Sequence, residues 1–115
     1  MNLDTAFNFI KEKRGYEYPL KYKLINGIPL TEKELHIDGH LDLSYANIKF
    51  LPDGLRVGRD LDIAYSKVIS IPNNLYIGGD FLLYNTPLSM EYDEDEIMKM
   101  IIDKGGYLGG SIYWW

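Results

Sequence analysis

Two histidines and a pair of aspartates are the residues whose types and spacing bear most directly on chemistry. His36 and His40 stand four positions apart. On a helix that spacing would place both imidazoles on one face and offer a metal two nitrogen ligands. Here they sit on an extended segment broken by Asp38-Gly39, so they read as surface histidines, and no metal or cofactor is expected. Asp42 and Asp62 each lie between apolar neighbours, Leu41 and Leu43 in one case, Leu61 and Ile63 in the other. Carboxylates paired across adjacent strands can bind a cation or share acid–base work. No signal for a sugar cleft accompanies them, and no zincin, nucleophile-elbow, Walker or zinc-knuckle spacing occurs in the chain. Gly78-Gly79-Asp80 lacks the helix and lysine that a phosphate-binding turn needs. The expectation is a non-enzymatic chain in which Asp42 and Asp62 belong to a polar recognition face.

What positions these residues is an internal repeat of 20 residues. The segment from Leu55 to Ile63 recurs from Leu75 to Leu83, and the same register run backwards covers Leu35 to Leu43. Each repeat carries two short segments that alternate apolar and polar residues, the pattern of a strand with one buried side. The first set is 35–37, 55–57 and 75–77, and the second is 41–43, 61–63 and 81–83. Further apolar columns follow at Ile48, Val68 and Leu88, and at Leu51 and Ile71. A fixed period near this length marks an architecture in which one repeat cannot bury its own apolar face and must stack on the next. The fold expected is an α/β repeat: a short parallel β-solenoid with Leu41, Leu61 and Phe81 as stacked neighbours. Gly39, Gly58 and Gly78-Gly79 separate the two strand sets, and positive φ at these corners is the expected reason for glycine. Asp53-Gly54 and Asn73-Asn74 suit a second turn after Pro52 and Pro72.

The motif Leu51-Pro52-x-x-Leu55-x-Val57, followed by Leu61-x-Ile63-x-x-Ser66-x-Val68, resembles the short leucine-rich repeats of bacteria and phages that contain a Leu-Pro step. The likeness is greatest to the small leucine-rich-like proteins of tailed phages, and it covers residues 35–90. Ala46, Ser66 and Thr86 replace the usual asparagine of that repeat, so the turn there must be satisfied in another way. The resemblance implies a binding protein and names no partner.

The chain of 115 residues is expected to form one domain, with 1–34 as an N-terminal cap, 35–90 as repeats and 91–115 as a C-terminal cap. Its apolar share of 46% is ordinary for a globular chain. The absence of cysteine removes disulfides and thiolate metal sites. No apolar run approaches the roughly 18 residues of a membrane span, and no leader pattern opens the chain. A cytoplasmic protein is therefore expected, in the host cytoplasm if a phage encodes it. A net charge of −5 disfavours direct binding to nucleic acid or to an anionic membrane, and favours a basic partner. The acidic run from Glu91 to Glu96 reads as the start of a helix.

A stack of repeats has two ends to cover. Leu3, Ala6, Phe7 and Ile10 form an apolar stripe that predicts a helix over 3–13, and 16–25 reads as an extended strand on the first repeat. Asp93 and Glu96 have the spacing of a capping box, with Lys104-Gly105-Gly106 at the other end of that helix. Ser111–Trp114 is expected to add a last strand beside 81–83.

The outward positions of the second strand set are Asp42, Asp62 and Leu82, flanked by Ser44, Ala64 and Tyr84, with Tyr45 and Tyr65 stacking in the turn that follows. Together they make an acidic face with tyrosine along one edge, suited to a basic protein surface. Asp60 and Asp80 either join that face or bond turn amides. His36, Arg56 and Tyr76 form a less coherent row on the first strand set. The alternative binding site is the aromatic terminus Tyr113-Trp114-Trp115. The functional expectation is a protein-binding module, an inhibitor or modulator of a host factor. The alternatives are an acidic nucleic-acid mimic and a subunit that assembles through its repeat ends.

Overall fold

The structure is a computed structural model and describes residues 19–114. It contains two parallel sheets of four short strands, with one helix before the first strand and two helices ahead of the last two strands. The first sheet is built from β1 (His36–Ile37), β3 (Arg56–Val57), β5 (Tyr76–Ile77) and β7 (Tyr107–Leu108). The second is built from β2 (Leu41–Asp42), β4 (Leu61–Asp62), β6 (Phe81–Leu82) and β8 (Ile112–Tyr113). Neither sheet closes on itself. The register follows the repeat: His36 pairs with Arg56 and Arg56 with Tyr76, while Leu41 pairs with Leu61 and Leu61 with Phe81. The predicted strands thus occur within a residue of their expected ends, and Ile112–Tyr113 lies beside Phe81–Leu82 as expected.

In the second and third repeats the residues on either side of each strand's outward position bury their side chains. Leu43, Leu55, Val57, Leu61, Ile63, Val68, Leu75, Ile77, Phe81, Leu83 and Leu88 are all fully enclosed. Each layer closes the one before it, so burial deepens from the half-buried Leu35 and Ile37 of the first repeat to the sealed third. The substituted asparagine column is satisfied locally. Thr86 Oγ1 donates to the Leu83 carbonyl at 2.6 Å, Ser66 Oγ accepts from Val68 N–H at 3.4 Å, and Ala46 has nothing to satisfy.

The glycine corners form for a different reason from the one expected. Positive φ occurs at Gly27, Gly54 and Gly105, and not at Gly39, Gly58, Gly78 or Gly79. A Cβ on Gly58 would collide with the carbonyl oxygen of Asp38, and one on Gly78 with that of Gly58. The corners of successive repeats therefore stack backbone on backbone, and a side chain would push the layers apart.

The N-terminal cap departs from expectation. The proposed helix over 3–13 lies outside the described residues, as do positions 16–18 of the proposed strand. The remainder of that strand is instead a helix, α1 (Leu20–Ile25), entered from Pro19 and ended at Asn26-Gly27. Leu20 and Leu24 fit a period of two and a helical i, i+4 spacing equally well. The helical choice buries Leu24 and packs Leu20 on the core. It also buries Lys23, whose Nζ donates to Glu34 Oε2 at 2.6 Å.

At the other end two helices interrupt the repeat, α2 (Pro87–Glu91) and α3 (Glu94–Asp103). They lengthen the step from Tyr76 to its register partner Tyr107. The predicted capping box starts α3: Asp93 Oδ1 accepts from Glu96 N–H at 2.8 Å, and Glu96 Oε1 accepts from Asp93 N–H at 3.2 Å. Ile97 and Ile101 carry its buried stripe. Helix α2 was not anticipated, although the sequence carried its signal: Thr86 caps it through Ser89 with Pro87 in the first turn.

Candidate functional site

The tyrosine edge assembles as a continuous row. The rings of Tyr45 and Tyr65 stack with centroids 4.6 Å apart and planes 3° from parallel. Tyr65 then meets Tyr84 edge to face at 5.8 Å. Tyr45 and Tyr65 both hold φ at 61°, while the third repeat puts Asn85 at that backbone position, with φ at 56°. Non-glycine residues seldom adopt this region, and asparagine does so more readily than tyrosine. Tyr45 is 74% exposed and Tyr65 45%.

Asp42 and Asp62 are register partners on neighbouring strands, with Asp62 in turn beside Leu82 and Leu82 beside Tyr113. Asp42 Oδ1 accepts from both the hydroxyl of Ser44, at 2.6 Å, and its N–H, at 2.9 Å. The Ser44 hydroxyl foremost, then its amide, hold the Asp42 carboxyl below its ordinary range, and the charge of Lys21 on α1 adds to this. Asp62 Oδ1 accepts from Ala64 N–H at 3.0 Å. Each carboxylate thus spends one oxygen on its own turn. The Asp-x-Ser spacing of Asp42 and Ser44 is a sequence signal for that turn.

Asp60 and Asp80 resolve in favour of backbone amides. His40 Nδ1 accepts from Asp60 N–H at 3.2 Å, Asp60 Oδ1 from Asp80 N–H at 2.7 Å, and Asp80 Oδ1 from Ser111 N–H at 2.9 Å. These residues form a ladder along the stack rather than part of the recognition face. The same ladder separates the histidines: His36 lies outward on β1, and His40 is the first rung. Among the described residues, no group of three or more histidines and carboxylates is arranged to hold a metal ion.

The row His36, Arg56 and Tyr76 is more ordered than its sequence suggested. Arg56 Cζ lies 4.1 Å from the centre of the Tyr76 ring, and Tyr107 stacks on Tyr76 at 5.0 Å and 22°. Tyr107 joins the row only because the two helices return the chain to register. Of the aromatic terminus, Tyr113 and Trp114 are 37% and 36% exposed and share a shallow depression with Glu94 and Ile112. Trp115 lies outside the described residues.

Fold and face together define a repeat protein with two parallel sheets and an acidic, tyrosine-edged strand face. No family model, curated protein or solved structure matches the chain. Among the described residues, no helix is long and apolar enough to cross a membrane.

Proposed function

We propose that this chain is a non-enzymatic protein-binding module that holds a basic protein surface against Asp42, Asp62, Leu82, Tyr45, Tyr65 and Tyr84. In this reading it is a short leucine-rich-like β-solenoid of the small bacterial and phage kind, and it modulates a host protein in the cytoplasm. The observation that carries the reading is the stacked, solvent-exposed pair Tyr45 and Tyr65 beside two outward carboxylates. Tyrosine supplies wide contact area at low entropic cost, and the carboxylates steer a basic surface into register.

A nucleic-acid mimic would need free carboxylates at regular intervals. Here Leu82 interrupts the outward row after Asp42 and Asp62, and Asp60 and Asp80 are turned onto backbone amides of the layers that follow. The protein reading is therefore preferred. Self-association is a second reading. It is supported by the edges of β7 and β8, beyond which no strand pairs among the described residues, and by the exposure of Tyr107. Light scattering at two concentrations separates it.

The test of the main reading is titration with a lysine- and arginine-containing peptide at low and high salt. Wild type should bind it, more weakly as salt rises. The variant carrying Asp42→Asn and Asp62→Asn should bind more weakly and respond less to salt. Unchanged binding by that variant would sink the reading.

A further inference from the structure

We propose that an arginine of the basic partner seats as the next layer of the tyrosine stack, its guanidinium on the outer ring face of Tyr45 and its N–H groups on the Asp42 carboxylate. The inference rests on the reading above and adds the chemistry of the group received: a guanidinium rather than an ammonium.

The backbone is the first indication. Positive φ at Tyr45 and Tyr65 is costly for tyrosine, and the asparagine at position 85 meets the same turn at less cost. A tyrosine on a backbone that disfavours it points to a use for its side chain. That side chain does no work in the core, since Tyr45 is 74% exposed.

The second indication is the open end of the row. Tyr65 covers one face of Tyr45 at 4.6 Å. The position one repeat earlier is Ile25, the last residue of α1 rather than a turn residue, so the stack stops at Tyr45. The other ring face of Tyr45 has no ring or cation on it among the described residues.

The third is a working example inside the same molecule. On the first sheet, Arg56 occupies one layer of a tyrosine stack, 4.1 Å from the centre of the Tyr76 ring, with Tyr107 on the far side. Arg56 is the register partner of Tyr76. The rise of one strand, about 4.8 Å, is close to the thickness of one stacked layer. A guanidinium therefore fits the pitch of these rows, and at the position before Tyr45 the chain places Ile25 of α1, neither a ring nor a cation.

The fourth is Asp42, exposed and three residues before Tyr45. Ser44 takes its Oδ1, and Oδ2 has no donor among the described residues. A planar, weakly hydrated guanidinium can lie on a ring and donate sideways to a carboxylate at once, whereas a compact hydrated ammonium does these poorly together. Lys21 already lends Asp42 positive charge, and an incoming arginine displaces that influence.

The experiment compares two peptides of equal length and charge, one with four arginines and one with four lysines on the same Gly-Ser backbone. Both are titrated into the full chain by calorimetry at one salt concentration. The arginine peptide should bind about five- to tenfold more tightly. Its δ-methylene protons should shift upfield in the ring current of Tyr45. Tyr45→Phe keeps the ring and should keep the preference. Tyr45→Asn, which relieves the backbone and leaves the core untouched, should erase it and abolish the shift. Lys21→Gln should tighten binding of the arginine peptide. Equal affinities for the two peptides, or a preference that survives Tyr45→Asn, overturns the proposal while leaving the basic-partner reading standing. Binding of neither peptide removes that reading and the proposal with it.

Discussion

Asp60 Oδ1 accepts the backbone N–H of Asp80 at 2.7 Å, a bond that crosses from one repeat to the next. The relationship is then handed on, from Asp80 to the amide of Ser111. Asp60→Ala leaves the half-buried Asp80 amide without its acceptor and should cost about 1–3 kcal/mol. Asp60→Asn retains an acceptor oxygen and should cost about 1 kcal/mol or less. Denaturant midpoints of the two variants check this, and equal losses would mean that charge rather than the amide bond matters at this rung.

The glycine corners yield a sharper contrast. At Gly78 an added Cβ meets the Gly58 carbonyl, a backbone atom that cannot swing aside. Gly78→Ala should therefore destabilise by about 1–3 kcal/mol or more, as overpacking does. Gly39, at the corner of the first repeat, has open space around an added Cβ and no positive φ. Gly39→Ala should be close to neutral. Thermal unfolding of both variants is the measurement, and a similar loss at the two sites would contradict the stacking account.

Burial and turn bonding separate neighbours on β4. Leu61 is fully enclosed between Leu41 and Phe81, so Leu61→Ala should cost about 2–5 kcal/mol through the cavity it leaves. Asp62→Ala loses the bond to Ala64 N–H and should cost about 0.5–1.5 kcal/mol. Chemical denaturation in the reverse order would mean that the strand faces are assigned the wrong way round.

The N-terminal cap should be sensitive to acid. Lys23 Nζ donates to Glu34 at 2.6 Å, and Thr31 N–H donates to it at 3.0 Å. The lysine bond foremost, then the threonine amide, hold the Glu34 carboxyl below its ordinary value of 4.5. A carboxyl lowered on folding contributes stability that is fully present above its unfolded value and is lost as pH falls through the folded one. Stability should therefore decline below about pH 4.5 and continue to fall until Glu34 is protonated in the native state. Glu34→Gln should cost about 1–3 kcal/mol at pH 7 and flatten this part of the profile. Melting temperatures between neutral and strongly acidic pH would show it, and parallel profiles for the two proteins would exclude the pair as the cause.

Much of the architecture was legible because it repeats or is local. The strict spacing of Leu41, Leu61 and Phe81 sets the register, since a one-residue slip would turn every buried side chain outward. The Asp93 and Glu96 box starts a helix through bonds within four residues. The alternation of strand residues placed Asp42, Asp62 and Leu82 on one outward row, and the shared turn placed Tyr45 beside Tyr65.

Other features depended on how closely the repeats approach, which no single repeat encodes. An aspartate can accept from its own turn, as Asp62 does, or from the next repeat, as Asp60 does. The choice is made by which N–H the stacked backbone brings within reach. Glycine at 58 and 78 answers a collision between layers, although its local sequence reads as a turn requirement. Leu20 and Leu24 suit either a strand or a helix, and the core they cover selects the helix. Tyr107 reaches Tyr76 only after two helices have carried the chain out of the repeat and back. Periodic and local signals thus determined which side chains face inward and where the strands lie. Competition for hydrogen-bond partners and contact between layers, both set by the assembled stack, decided what the outward and corner residues do.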